Sequence, residues 1–172
     1  MDIIEAMKTR RSVRNFKPTP VPEHVIDAII DAGLYAASAR NQQSTLIINV
    51  ADKDLQAAIR EKNREIGGWD AGFDPFYGAP NMLIVLADRS NRNRVYDGSL
   101  VMGNLMLAAH ALGIGSCWIH RAKEEFDSDF GKKILKALDI EGDWEGIGHC
   151  ALGYAAEEPE TPKRKPNRVF TA

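Results

Sequence analysis

Cysteine is scarce: Cys117 and Cys150 are the only two in 172 residues. So small and scattered a pair excludes a disulfide scaffold and a thiolate zinc site. Both sit in apolar, strand-like text, Ser116-Cys-Trp-Ile119 and Gly148-His-Cys-Ala-Leu-Gly153. They read as reduced core thiols, since free cysteine packs like a small hydrophobe. Long uncharged runs are missing too. None approaches the ~18 residues that span a bilayer, and the start Met1-Asp-Ile-Ile-Glu5 is acidic where an export signal is basic. Nor is there a surplus of either charge: 22 basic and 24 acidic side chains leave a formal charge of -2. A dedicated nucleic-acid binder needs a basic excess for phosphate, so that class is disfavoured, although a local basic patch is not. The expectation is a soluble, unexported, cytoplasmic protein with no membrane or nucleic-acid partner.

Most motifs that announce a chemistry are absent as well. No Gly-x-Gly-x-x-Gly follows a strand, and there is no phosphate-loop Gly-Lys-Ser/Thr and no Gly-x-Ser-x-Gly elbow. His24, His110, His120 and His149 fall in different elements, and no spacing offers a metal site.

What is present is an ordinary globular composition, 44% hydrophobic and 27% charged. The length suits one domain that buries roughly 70% of its unfolded surface. Asp2 can cap a helix over 3–10. The run Lys17-Pro-Thr-Pro-Val-Pro22 forces extended backbone. Val25, Ile26, Ile29, Ile30 and Leu34 recur at helical spacing over 23–36. A strand follows at 46–50, and Asp52 caps a helix carrying Leu55, Ala58, Ile59 and Ile66. Residues 67–80 make a loop, 82–87 a strand covered on both faces, and 88–95 a charged turn. Asp97 reads as the cap of a helix over 98–112 that is apolar nearly all round, which asks for a partner subunit. Gly113 ends it. A strand at 116–119, a helix at 124–138 and a strand at 146–154 complete the order. From Glu157 the chain is polar and proline-rich and cannot build its own core. Interleaved helices and strands predict an α/β or α+β sandwich.

Four clusters carry candidate chemistry. Arg10-Arg-Ser-Val-Arg14 follows the first helix, where one or two cations complement the helix end. Three arginines around a serine go further and suit a forked anion site. Lys163-Arg-Lys165 reads as a solvated tail or as a second contribution to the same anion. Ser38, Asn41 and Gln43 read as turn residues, or as groups that bond a planar heterocycle or polyol. Gly113-Ile-Gly-Ser-Cys-Trp-Ile-His120 reads as a helix cap and core strand whose small residues also admit a flat ligand.

In order, Arg10–Arg14, Ala36-Ala-Ser-Ala-Arg-Asn-Gln-Gln43, Phe76-Tyr-Gly-Ala-Pro80, Asn104–Ile119 and Pro162-Lys-Arg-Lys-Pro166 closely resemble the FMN-dependent nitroreductase family. The resemblance runs over essentially the whole chain. It implies a single α+β domain, 1–172, built as a three-layer α/β/α sandwich. The sheet would be mixed and mainly antiparallel, in an intertwined homodimer. It implies an interface along 98–112, with 157–172 as an arm on the partner and FMN at each subunit boundary. By position, Arg10, Ser12 and Arg14 hold the phosphate and ribityl chain, with Arg11 nearby and Arg164 and Lys165 completing the phosphate site. Ser38, Ala39, Asn41 and Gln43 come from the other subunit. Trp118, Ile119 and His120 run past the ring. Lys62, Asn63 and Arg64 stay open as candidates for a further contact, with none singled out. Departures are Ala37 where relatives usually have a proline, Ser44-Thr45 where they have Pro-Trp, and His120-Arg121 where many have an acidic residue and a glycine. The implied activity passes electrons from NADH or NADPH through FMN to a nitroaromatic or quinone by ping-pong turnover, with no named catalytic side chain. A low-turnover FMN binder or redox sensor of the same fold stays open, and a nucleotide-contacting module remains the weakest alternative.

Overall fold

The computed structural model describes residues 2–172. The Asp2 carboxylate accepts from the Ile4 and Glu5 N–H groups at 3.0 and 3.2 Å and opens α1 (Ile3–Thr9). After the proline-rich stretch, α2 (Glu23–Leu34) turns Ile26 and Ile29 inward. A single 3₁₀ turn, Ala39–Asn41, leads into β1 (Thr45–Asn49). Asp52 accepts from Leu55 N–H at 2.7 Å and opens α3 (Lys53–Gly67). The loop before β2 (Asn81–Asp88) is held by Arg60. Its Nη1 grips both Asp74 carboxylate oxygens at 2.9 and 2.7 Å, and its Nη2 donates to the Ala79 carbonyl.

Next comes α4 (Arg94–Ala111), closed by Gly113 at φ 77°, a left-handed turn that suits glycine. It starts four residues before the expected 98. Asp97 is therefore no cap: it lies buried in the first turn and bonds to a distant loop. β3 (Gly115–Ile119) follows. The expected helix over 124–138 is two, α5 (Ala122–Asp127) and α6 (Asp129–Ala137). Ser128 takes extended backbone between them, and its hydroxyl accepts from Phe130 N–H at 3.3 Å. Gly131 makes the joint possible, since a Cβ there would lie 2.4 Å from Phe126 Cα. Last is β4 (Trp144–Gly153).

The strands order β1-β2-β4-β3, and all three ladders are antiparallel. The parallel element is one bridge, Ser12 to Ser116, on the free edge of β3. Alternate residues of β2 feed two cores. Met82, Ile84 and Leu86 pack with Ile59, Phe126 and Ile134 of α3, α5 and α6. Leu83 and Val85 pack with Ile29, Met102 and Leu105 of α2 and α4. Helices thus cover both sheet faces, giving the three-layer α/β/α sandwich of the α+β class. No helix among the described residues is long and apolar enough to cross a membrane.

Candidate functional site

The arginine segment is built where α1 stops. Arg10 leaves the helix with φ −54° and ψ 132°, and Val13 N–H donates to the Ser116 carbonyl at 2.9 Å. Residues 10–14 therefore run along the open edge of β3. Arg11 does what a helix C-terminus asks: its Nη1 donates to the Lys8 and Arg10 carbonyls, each at 2.7 Å. The rest of the charge is unspent. Among the described residues, Arg10, Arg11 and Arg14 form no salt bridge with any carboxylate, and Arg10 Nη1 and Arg11 Nε are buried without a partner. Cys117 of β3 lies within electrostatic reach of Arg14, Ser12 and Arg10. Burial pushes that thiol's pKa up, while the two arginines and the Ser12 hydroxyl pull against it.

Beside this segment lies a cavity of about 420 Å³ lined by Thr9, Arg11, His110, Ser116, Glu158 and Thr161, among others. The Thr9 hydroxyl proton goes to the Glu5 carbonyl at 2.7 Å. The 2.8 Å contact between Thr9 Oγ1 and His110 Nε2 is then donated by the imidazole. Burial and the nearby Arg10 and Arg11 charges push the His110 pKa down.

The second cluster sits at the opposite sheet edge. Arg40, Asn41 and Gln43 all have positive φ, at 54°, 52° and 48°. Such backbone persists only where surroundings fix it. Ser38 Oγ accepts from Gln43 N–H at 3.0 Å, and Asn41 Oδ1 accepts from Gln43 Nε2 at 3.0 Å. Behind the loop, Asp97 accepts from Ala39 N–H at 3.0 Å and from Asn91 Nδ2 at 2.8 Å. Asn91 also donates to Ser44 Oγ at 2.5 Å. Asn41 and Gln43 are left exposed.

The third cluster is the end of β3. Trp118 is half-buried, Ile119 buried and His120 exposed. Arg121 takes φ 78° and lays its guanidinium over Trp69 at 4.2 Å. The fourth is the tail. Arg164 and Lys165 stand exposed, and no hydrogen bond joins them to residues 10–14. Of the three residues at 62–64, Lys62 pairs with Glu65, Arg64 with Glu61, and Asn63 is fully buried.

One chain brings the arginine segment and the end of β3 to one edge. It does not bring the 38–43 loop to them. Strands β2 and β4 lie between, packed on both faces.

Comparison with known proteins decides the family. The model of the Nitroreductase family matches residues 7–154. The chain belongs to the nitroreductase family. A protein from Methanothermobacter thermautotrophicus, provisionally named NADH dehydrogenase/NAD(P)H nitroreductase, is 33% identical over 94% of this chain and 81% of its own. An FMN reductase [NAD(P)H] of Bacillus subtilis is 26% identical over 98% of this chain and 72% of its own. A crystal structure of a nitroreductase with bound FMN from Bacteroides fragilis superposes with TM-score 0.89 at 25% identity, covering 100% of this chain and 99% of that one.

The sequence of this nitroreductase offered Asn63 only as one of three candidate flavin contacts and Asp97 only as a helix cap, and gave no sign of Asn91 or Glu125. Asn63 had a signal. It lies four residues after Ile59 and three before Ile66, on the apolar face of α3.

Proposed function

We propose that this nitroreductase binds FMN and catalyses electron transfer from NADH or NADPH to a nitroaromatic, quinone or similar acceptor. The observation that carries the reading is the uncompensated cationic edge at Arg10–Arg14, with buried guanidinium N–H groups that have nothing to bond. Buried donors left unpaired are costly, and a phosphate dianion satisfies them with charge-assisted bonds. The residues present therefore fit FMN. Arg10, Ser12 and Arg14 would hold its phosphate and ribityl chain, with Arg11 bracing the segment against α1.

Arg164 and Lys165 of the 157–172 arm complete the phosphate site. Ser38, Ala39, Asn41 and Gln43 face the ring from a second copy of the chain, because the packed core separates them from the arginines of their own copy. Exposed apolar residues on α1, at the end of α2 and on α4 support a homodimer: Ile3, Ile4, Met7, Leu34, Tyr35 and Leu100. The Trp118–His120 backbone flanks the ring.

When bound, the flavin supplies the hydride and electron chemistry that no side chain here can. The protein's task is to bind, orient and keep water out. N–H donors at the end of β3 and cations near the ring oppose the negative charge that reduction creates. The Arg121 guanidinium, held over Trp69, would contribute one such cation. Reductant and acceptor use the same face in turn, in ping-pong order. The net reaction with a quinone consumes NAD(P)H and a proton and yields NAD(P)+ and the hydroquinone. Free, buried Cys117 and Cys150 suit the cytoplasm, where these reductants are found.

Purified protein is expected to be yellow, to bleach anaerobically with NADH or NADPH and to recover colour with a quinone or nitro compound. Bound flavin that resists both nicotinamides would leave the low-turnover binder. Colourless protein indifferent to added FMN ends the reading. The double variant Arg14→Ala/Arg164→Ala is expected to lose FMN on dialysis while keeping its helix content by circular dichroism; full occupancy would show the phosphate lies elsewhere.

A further inference from the structure

Three polar side chains with no solvent exposure meet beneath the end of β3: Asn63 of α3, Glu125 of α5 and His149 of β4. The β3–β4 ladder ends at the pair Ile119 and His149. The next carbonyl, that of His120, therefore has no strand to bond. Asn63 supplies the donor. Its Nδ2 spends one hydrogen on the His120 carbonyl at 2.8 Å and the other on Glu125 Oε1 at 2.7 Å. Glu125 Oε2 lies 2.8 Å from His149 Nε2. That contact is close but falls outside hydrogen-bond geometry: Glu125 Oε2, both His149 ring nitrogens and Asn63 Oδ1 are buried without a hydrogen-bond partner. The ring of His149 is wedged edge-on against Phe76, 5.3 Å between centroids.

Buried polar groups are expensive unless every one finds a partner, and here only the two Asn63 Nδ2 bonds are made. A chain of three, reaching a backbone carbonyl, is an unusual use of core volume. Its end point explains it. His120 and Arg121 form the turn that leaves β3, and Arg121 is held at φ 78°, a conformation that a non-glycine residue keeps only when its surroundings impose it. From outside, the turn is pinned by Arg121 stacking on Trp69. From inside, it is pinned by Asn63.

We propose that Asn63, Glu125 and His149 are positioning residues that fix the His120 carbonyl and the His120–Arg121 turn. They thereby set where the bound flavin ring sits and how readily it is reduced. None of the three touches the flavin. The inference rests on the reading above, in which this turn flanks FMN.

The test compares the midpoint potential and visible circular dichroism of bound FMN, with kcat and KM, across four variants of the full chain. Asn63→Leu and Glu125→Leu remove the link and are expected to shift the potential and the flavin dichroism. They are also expected to lower kcat by about tenfold, as a displaced reacting geometry does. Glu125→Gln keeps an acceptor for Asn63 in a side chain of the same size and is expected to stay within about twofold of the parent, well inside that tenfold loss. Ile134→Val, a core deletion in the same layer, is the control: it lowers the unfolding temperature without moving the potential. If Asn63→Leu and Glu125→Leu behave like Ile134→Val, the residues only stabilise the fold and the inference fails. Should Glu125→Leu not fold, Asn63→Leu decides alone. A parent that takes up no FMN overturns both this and the reading above. A parent that does, with variants matching its potential, overturns this inference only.

Discussion

His110 illustrates how one residue ties the cationic edge to stability. It is packed at the end of α4, donates to Thr9, and feels Arg10 and Arg11. Burial first, and then the two guanidiniums, push its pKa below the ordinary 6.5. The unfolded chain thus binds a proton at pH values where the folded one does not. Stability then rises with pH across that interval. The contribution is fully present above about pH 6.5 and fades as pH falls through the folded value. Thermal unfolding of the flavin-free protein between pH 5 and 8 is expected to show this loss on the acid side, and His110→Gln is expected to flatten it. A parent and variant with parallel profiles would remove His110 from the account. Added FMN is expected to oppose the acid loss, because a phosphate beside Arg10 offsets the charge that disfavours imidazolium.

At the scale of elements, the joint between α5 and α6 offers a sharp case. Gly131 is buried against the preceding helix, and an added Cβ would also meet the Glu125 carbonyl at 2.7 Å. Backbone cannot yield there as a flexible side chain does. Gly131→Ala is expected to destabilise by about 1–3 kcal/mol, read as a lower denaturant midpoint at unchanged slope. It also pushes on the helix that carries Glu125. The same joint shows what the sequence could and could not tell. Helices announced by local signals were legible: the caps Asp2 and Asp52, the apolar spacing of 25–34, and Gly113 as a stop all act within a few residues of themselves. The break at Ser128 was not, because Phe126, Phe130, Ile134 and Leu135 keep helical spacing across it and only tertiary packing decides. Asp97 misled for a related reason. An aspartate near a helix start looks the same whether it caps that helix or reaches back to Ala39. The link between Asn63 and Glu125 spans 62 residues. No local pattern holds such a pair, although a carboxamide on an apolar helical face was a visible anomaly. The arginine, carboxamide and Trp118 clusters were legible as motifs, whereas their separation across the sheet is a property of the strand order alone.

In the whole molecule, the residues past Thr161, which lines the cavity beside the arginine segment, all stand exposed in a single chain. Both cores close without any residue beyond Ala155, yet the tail carries Val169 and Phe170, which are 90% and 89% exposed. Burying such side chains is worth roughly 1.5–3 kcal/mol each, set against about 1–2 kcal/mol of backbone entropy per residue ordered. The balance favours an arm that few apolar anchors and a bound anion hold jointly, and not a self-sufficient interface. Removing residues 157–172 is therefore expected to spare the fold. The truncated chain should keep its helix content and unfold cooperatively, because the sandwich loses no buried group. What it should lose is linkage. Without Arg164 and Lys165 the FMN dissociation constant is expected to rise at least about tenfold, roughly 1.4 kcal/mol, with a weaker dependence on salt since two cations are gone. Without Val169 and Phe170 the proposed dimer is expected to dissociate at higher protein concentration, and added FMN should recover less of it than in the parent. Sedimentation equilibrium with and without FMN, beside a fluorescence titration of the flavin, measures both. A truncated protein that matches the parent in self-association and in flavin affinity would show that the arm reaches neither the partner nor the phosphate. The cationic edge at Arg10–Arg14 would then have to hold its anion alone.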